Sequence, residues 1–341
     1  MRRILRFSVA CGLALWAGAA AGGGPPEPID PAARLPRGNE ASEHWDLAAH
    51  FDSGHRLYAR FMITNAGPGE RTAVAIGHLV KPDGEAVAFR NGRREGAWRL
   101  LDEGRSIEIG SSELHLGEER RFGFDNDKRG IKIHVAWPAA AGLAAPEGTV
   151  ADRLDLLDLA SPATGSFWLS GMEDPRPLAG RALLTHSWSE GRLDGDPKRR
   201  IDFASFDDAP IFLTSTAGGA SPSRAWLVLT TEEGWVSRSD ITVRLRSTEE
   251  ESGPYPIPRR LEMRGKSLNG SLSLGDSPVL VTDPLDALPT LLKMVYSFGG
   301  RPRHIWTDAT ASVALGSRSG SSRLQIEKPG ITALFFSDAT P

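Results

Sequence analysis

The chain is nearly free of cysteine: one residue of 341, Cys11. It sits inside an N-terminal apolar run, so the body of the protein carries no thiol. Disulfides, thiolate metal sites and cysteine nucleophiles are excluded together. A basic surplus is also missing. Forty Lys and Arg stand against 43 Asp and Glu, and a protein that neutralises phosphates needs the opposite balance, so nucleic acid is not an expected partner. Beyond the N-terminal run no stretch of about 18 apolar residues occurs, so no membrane insertion is expected once that run is removed. Familiar catalytic signatures are absent as well: there is no GxSxG elbow, Walker loop or HExxH. The eight histidines form no close HxH pair, and His44, His50 and His55 are too irregularly spaced to share a strand face. Neither a metal site nor a cofactor site is predicted.

At the N-terminus Arg2, Arg3 and Arg6 precede an apolar run from Phe7 to Trp16, and Ala19-Ala20-Ala21 follows. This is the layout of a secretory signal peptide over 1–21, which implies an exported, periplasmic or secreted product. Ser8 stands where a lipoprotein signal needs an apolar residue, so Cys11 is not read as a lipid anchor. Without the three arginines the net charge is −6. Residues 22–38 are rich in Pro and Gly without a hydrophobic period and read as a linker.

From Ser42 onward the pattern is short strands. RLYARFMIT, TAVAIGHLV, GIKIHVAW, RALLTHSW, RAWLVLTT and ITALFF recur between turn residues. Lys81-Pro82-Asp83-Gly84 is a tight turn, because proline presets φ and glycine accepts positive φ. Asn269-Gly270, between RRLEMRG and SLSLG, has the composition of a type I′ hairpin turn. Two stretches look helical: DRLDLLDLA (152–160), which fits a short helix or a loop cover, and residues 286–296, whose leucines recur at helical spacing before Gly299-Gly300. Many strands with little helix predict an all-β protein of antiparallel barrels or sandwiches. A split near residue 200 gives an N-terminal domain over 39–200 and a C-terminal domain over 201–341.

Three clusters carry candidate chemistry. Glu43-His44-Trp45-Asp46 opens the first strand. Thr185-His186-Ser187-Trp188 puts Leu184, His186 and Trp188 on one strand face, where a histidine is either a proton donor in a ligand cavity or a core residue bonded to backbone. His304, Trp306 and Asp308 share a face later in the chain. Arg90, Arg93 and Arg94 form either an anion grip or a solvated loop.

EHWDL, the Gly180–Trp188 segment, YPIPRRLEMRG (255–265) and His304–Trp306 resemble segments of the AttH and hydroxyneurosporene synthase (carotenoid 1,2-hydratase) proteins. HFDSGHRLYARFMITNAGPG resembles bacterial relatives of the survival-factor (Svf-type) proteins. The resemblance implies two packed lipocalin-like (calycin) β-domains. It also implies either hydration or cyclisation of terpenoid-type substrates, or lipid handling linked to oxidative-stress survival. Where the hydratases have an acid before the central histidine, this chain has Thr185, which cannot protonate an alkene.

These readings combine into an expectation. An exported lipocalin-like protein binds a lipid or isoprenoid in an apolar β-cavity lined by Trp45, Trp188 and Trp306. Glu43, His44, His186 and His304 orient the ligand's polar end, and if there is catalysis, His186, Glu43 and Asp308 carry it. A hydratase or cyclase is the first alternative, and a non-catalytic structural or interaction module the second.

Overall fold

The structure is a computed structural model, and it describes residues 29–39, 41–65, 71–148, 153–190, 199–217, 222–231, 234–248, 257–266, 268–276, 278–283, 303–316 and 323–336. Strands dominate these residues; among them there is no α-helix, and a single 3-10 turn spans Asp102–Gly104. The first sheet contains β1 (Ser42–Phe51), β2 (Arg56–Thr64), β3 (Thr72–Val80), β4 (Ala86–Arg93), β5 (Arg99–Leu101) and β6 (Ser106–Ile109). It continues through β7 (Ser112–Leu116), β8 (Glu119–Asn126), β9 (Ile131–Pro138), β10 (Leu143–Ala144), β11 (Arg153–Leu169) and β12 (Arg176–Ser189). Its order is β4-β3-β2-β1-β12-β11-β9-β8-β7-β6-β5, with β10 on β11, and each pairing is antiparallel.

The second sheet contains β13 (Arg199–Ala204), β14 (Ile211–Ala217), β15 (Ser223–Thr231), β16 (Gly234–Thr248), β17 (Pro258–Gly265), β18 (Leu268–Leu274), β19 (Leu280–Thr282), β20 (Arg303–Gly316) and β21 (Arg323–Phe336). Its path β18-β17-β16-β15-β14-β13-β21-β20 returns on itself through a β18–β20 pairing, giving a closed eight-stranded barrel with β19 on the outer flank of β20. The first sheet curls but stays open along its hydrogen-bond path. Its β4 rim is fastened to the β6–β7 corner by Asn91, whose amide donates to the hydroxyls of Ser111 (3.1 Å) and Ser112 (2.8 Å).

Strand alternation sorts the apolar residues into three cores. Trp45, Phe61, Phe89, Phe122, Phe124, Trp137 and Phe167 fill the interior of the first sheet. Aliphatic residues such as Leu227, Leu261, Leu272 and Leu334 fill the closed barrel. The third core lies between the two sheets, where Tyr58, Leu156 and Leu183 meet Phe212, Trp226, Trp306 and Phe335. Each large side chain so buried contributes roughly 1.5–3 kcal/mol relative to exposure.

Several expectations are corrected. DRLDLLDLA is not helical. From Arg153 it is the start of β11, with register breaks between Leu156 and Asp158 and between Asp158 and Ser161. The strand is buried on both faces, Leu154 and Leu156 toward the second sheet and Leu157 toward the first interior. Leucines needed on both sides of a bulged strand imitate helical spacing. The second predicted helix, 286–296, lies outside the described residues, as does 1–21. Asn269-Gly270 is not a turn but lies inside β18, opposite Arg264 and Met263. A Cβ on Gly270 would stand 2.6 Å from the Ser312 carbonyl oxygen, so glycine is there to let β20 approach and close the barrel. The stretch read as a linker is, from Ile29 onward, packed: Ile29, Ala33 and Leu35 lie against the first core. Lys81–Gly84 is the expected turn, with the Gly84 N–H donating to the Lys81 carbonyl at 3.0 Å and φ of 89° at Gly84.

Candidate functional site

The predicted site residues separate into two groups on opposite faces of β1 and β12. Cross-strand register places Trp45 opposite His186 and Glu43 opposite Trp188 on the interior face, while Asp46 opposite Thr185 and His44 opposite Ser187 face the second sheet. Trp306 belongs to the inter-sheet core, so Trp45, Trp188 and Trp306 do not line one cavity. A sheet with period-two alternation cannot present adjacent residues to the same side.

On the inter-sheet side the site is a polar cluster ringed by aromatic and aliphatic groups. Asp46, on the central strand β1, is gripped by the Arg60 fork, whose Nε and Nη2 donate to the two carboxylate oxygens at 2.5 and 2.8 Å. Arg200, from β13, adds a bond to Asp46 at 3.2 Å, binds Asp202 through Nε at 2.8 Å and donates to the Ser187 hydroxyl at 2.9 Å. Thr214 donates to the other oxygen of Asp202 at 2.6 Å. The two guanidinium carbons lie 4.4 and 4.9 Å from the centre of the Phe335 ring, a cation–π arrangement that suits desolvated arginine. Arg60 also donates to His304 Nε2 at 2.7 Å, and the Ser187 hydroxyl donates to His44 Nε2 at 2.6 Å.

The electrostatics follow from these contacts. Burial drives the Asp46 carboxyl upward, but Arg60 and Arg200 outweigh it and hold the group below the ordinary carboxylate range. His44 and His304 are pushed well below the usual imidazole value, first by burial and then by the neighbouring guanidinium groups. Asp46 is therefore an ionised carboxylate among two cations and two neutral imidazoles at neutral pH, with the Asp202 carboxyl group beside it on Arg200. Beside it a void of about 20 Å³ is lined by Asp46, Thr185, Asp202, Leu183, Trp306 and Phe335, among others. The Thr185 hydroxyl is buried there without a hydrogen-bond partner.

At the edge of this seam Trp306 stacks on Tyr58, centroids 4.4 Å apart. Asp308 accepts from Arg56 at 2.7 Å across the two sheets, with its side chain 57% exposed. Asp308 is thus a surface tie rather than a neighbour of His186.

On the interior face Glu43 and His186 are fully buried and 2.7 Å apart, Oε1 to Nε2. The Trp45 ring stacks on His186 at 4.7 Å with an interplanar angle of 7°, and Trp188 lies 4.9 Å from the same imidazole. Asp155 on β11 is directly across from His186, and burial raises its carboxyl above the ordinary value despite the attraction of His186 and Arg34. Sequence reading placed Asp46 in the Glu43–Asp46 cluster without giving it a role, and missed Arg60, Asp155, Arg200 and Asp202. The signal available was a charge set between apolar neighbours inside a strand, as in Leu-Tyr-Ala-Arg60-Phe-Met-Ile and Ile-Asp202-Phe. Among the described residues, no group of three His, Cys, Asp or Glu side chains is placed to hold a metal ion. Arg93 donates to the Gly92 carbonyl at 2.8 Å on the exposed rim of β4.

No protein-family model matches the chain and no curated protein matches it. Solved structures do. A candidate AttH of Nitrosomonas europaea superposes with a TM-score of 0.62 at 13% identity, covering 91% of this chain and 97% of that one. Kievitone hydratase of Nectria haematococca gives 0.52 at 11% identity over 90% and 94%. CghA, solved with Sch210972, gives 0.52 at 12% identity over 92% and 96%. The likeness runs nearly end to end in both directions, and it establishes that this chain has the AttH-type fold of two packed lipocalin-like β-units.

Proposed function

We infer that the seam between the two sheets is a binding site for a small, largely apolar molecule ending in a hydroxyl, of lipid or isoprenoid type. The observation that carries this reading is the Thr185 hydroxyl, buried with no partner on a void whose other walls are Asp46, Asp202, Trp306 and Phe335. A buried hydroxyl without a partner costs roughly 1–3 kcal/mol, and a ligand hydroxyl bonding to Thr185 and a flanking carboxylate removes that cost. Trp306, Phe335 and Leu183 supply the apolar wall. At about 20 Å³ the closed seam has room for one water, so a ligand enters by parting the sheets at the Tyr58–Trp306 stack. The leader-like segment at 1–21 supports delivery outside the cytoplasm, where an isoprenoid or lipid carrier meets its cargo.

Hydratase and cyclase activity is the competing reading, supported by the fold shared with kievitone hydratase. The seam chemistry favours binding. Alkene protonation needs an acid that holds its proton at neutral pH, whereas Asp46 is kept ionised and His44 and His304 are kept neutral.

The test is mass spectrometry of organic extracts from natively purified protein, wild type beside Thr185→Val and Trp306→Ala. One dominant hydroxylated lipid or isoprenoid in near-stoichiometric amount, lost from both variants, is expected. Equal retention by all three proteins overturns the assignment of the seam, and an empty protein that takes up no fluorescent retinoid or fatty acid overturns the carrier reading.

A further inference from the structure

The interior group around Glu43 does not reach the seam, yet it is closed by an unusual device. The segment Ile29–Pro36 forms a strap across the mouth of the first sheet. Two consecutive peptide groups of the strap point at one carboxylate: the Arg34 N–H donates to Glu43 Oε1 at 2.7 Å and the Leu35 N–H to Oε2 at 2.8 Å. To make this geometry Leu35 adopts φ of 46°, a left-handed conformation a branched side chain disfavours. The rest of the strap is held by single polar contacts and by Ile29, Ala33 and Leu35 against the first core, with Asn65 donating to the Pro36 carbonyl at 3.2 Å. Ala33 donates to the Gly104 carbonyl at 3.0 Å, Asp30 pairs with Arg105 at 3.0 Å in an exposed bridge, and the Arg34 guanidinium lies over Trp188 at 5.1 Å. Gly104 has φ of 92° and leaves only 3.2 Å between a would-be Cβ and the Ala33 nitrogen, so a bare backbone lets the strap settle.

Beneath the strap the site is unfinished. Trp45 Nε1 and His186 Nδ1 are both buried with no hydrogen-bond partner, on rings stacked against each other. Unpaired buried polar atoms are rare in a finished core; the Trp45 N–H can only donate, but with the His186 Nε2 hydrogen directed at Glu43 the Nδ1 lone pair is an unfilled acceptor for a ligand N–H. Glu43 accepts two parallel N–H bonds from neutral peptide groups, the pattern a guanidinium or amidinium offers together with a positive charge, and charge-assisted bonds are roughly twice as strong as neutral ones. Trp188 already carries the guanidinium of Arg34 on its face, so an aromatic wall for a planar cation is in place.

We propose that the mouth of the first sheet is a second binding site, for a planar amidinium or guanidinium cation, and that the strap Ile29–Pro36 is a built-in competitor whose Arg34 and Leu35 N–H groups stand in for that ligand on Glu43. Binding then requires strap release, and the apparent affinity is set by the fraction of molecules with the strap open. The site is separated from the seam by the thickness of β1 and β12, and it stands whether or not the seam binds a lipid.

Benzamidine, with benzamide as its uncharged counterpart, tests this on the full chain by calorimetry and amide hydrogen exchange. Saturating benzamidine is expected to speed exchange at Ala33, Arg34 and Leu35 at least tenfold, and benzamide to leave it unchanged. Ala33→Pro deletes the bond to Gly104 without touching Glu43 and is expected to tighten benzamidine binding about tenfold, whereas E43Q abolishes binding. Strap amides that stay protected at saturating benzamidine overturn the proposal, whether or not heat is released elsewhere. So does an Ala33→Pro protein, folded by circular dichroism, that binds no more tightly than wild type; that result makes the strap a permanent plug.

Discussion

The Asp46 cluster should reveal itself in a double-mutant cycle. Asp46 is the common acceptor of Arg60 and Arg200, and both guanidinium groups press on Phe335. Replacing it by leucine leaves two buried cations without the carboxylate between them. Breaking a buried ion pair by removing one partner typically costs about 3–5 kcal/mol, and each 1.4 kcal/mol is a factor of ten, so the unfolded population should rise roughly a thousandfold. Arg60→Met alone should cost less, about 2–3 kcal/mol, because Asp46 keeps Arg200 and methionine retains much of the stem's packing. In the double variant Asp46→Leu/Arg60→Met, Arg200 still has Asp202 at 2.7 Å, and the apolar pair fills the space left. Its cost should therefore not exceed that of Asp46→Leu, giving a coupling of about 2–3 kcal/mol. Urea unfolding followed by both tryptophan fluorescence and far-ultraviolet circular dichroism measures all three, since two probes are needed to see whether the two β-units melt together. Single losses that simply add, to within about 0.5 kcal/mol, would refute the claim that Asp46 and Arg60 act as one unit.

Three further outcomes follow from the same contacts. His50 is buried against Phe206 and held at a pKa of about 3, by burial and then by Arg56. The unfolded chain takes up a proton below about 6.5 and the folded one does not, so stability is full above 6.5 and falls by about 2 kcal/mol between pH 7 and 5 from this residue. The His50→Phe variant should show a shallower acid limb in thermal melts, and an unchanged pH slope would refute the assignment. Thr185→Val removes the unpartnered hydroxyl and should raise stability by about 1 kcal/mol in the ligand-free protein; a loss would mean the hydroxyl has a partner. Gly270→Ala sets a Cβ 2.6 Å from the Ser312 oxygen and should cost about 1–3 kcal/mol, with faster amide exchange at the β18–β20 pairing; unaltered exchange there would refute the role given to Gly270 in barrel closure.

The all-β class and most strands were legible because clear turn residues bound the strands and several, such as β7 and β9, alternate buried and more exposed side chains. Legibility failed where that simple pattern breaks. β11 is buried on both sides and bulged, so its leucines mimic a helix. Gly270 is a contact glycine inside a strand, indistinguishable in sequence from a turn glycine. The site residues were half legible: Glu43, Trp45, His186 and Trp188 do meet, because register aligns positions 143 residues apart in the Glu43–His186 pair. The seam escaped because Asp46, Arg60, Arg200, Asp202 and His304 are brought together only by sheet-on-sheet packing, and a strand's period says which residues share a face, not which face meets another. The strap escaped for a different reason: its bonds to Glu43 and Gly104 are made by backbone N–H groups, which leave no trace in side-chain pattern.

Each β-unit joins its first strand to its last. β1 pairs with β12 from Ser42↔Ser189 to Phe51↔Gly180, and β13 pairs with β21 from Arg199↔Phe336 to Ala204↔Ile331. A chain growing from its N-terminus therefore cannot complete either unit until that unit's final strand has been made. Until then β1 keeps one hydrogen-bonding edge open, and Glu43 waits for a histidine not yet synthesised. Pairings this distant in sequence form slowly. No strand is shared between the units, so the first can close before the second has begun.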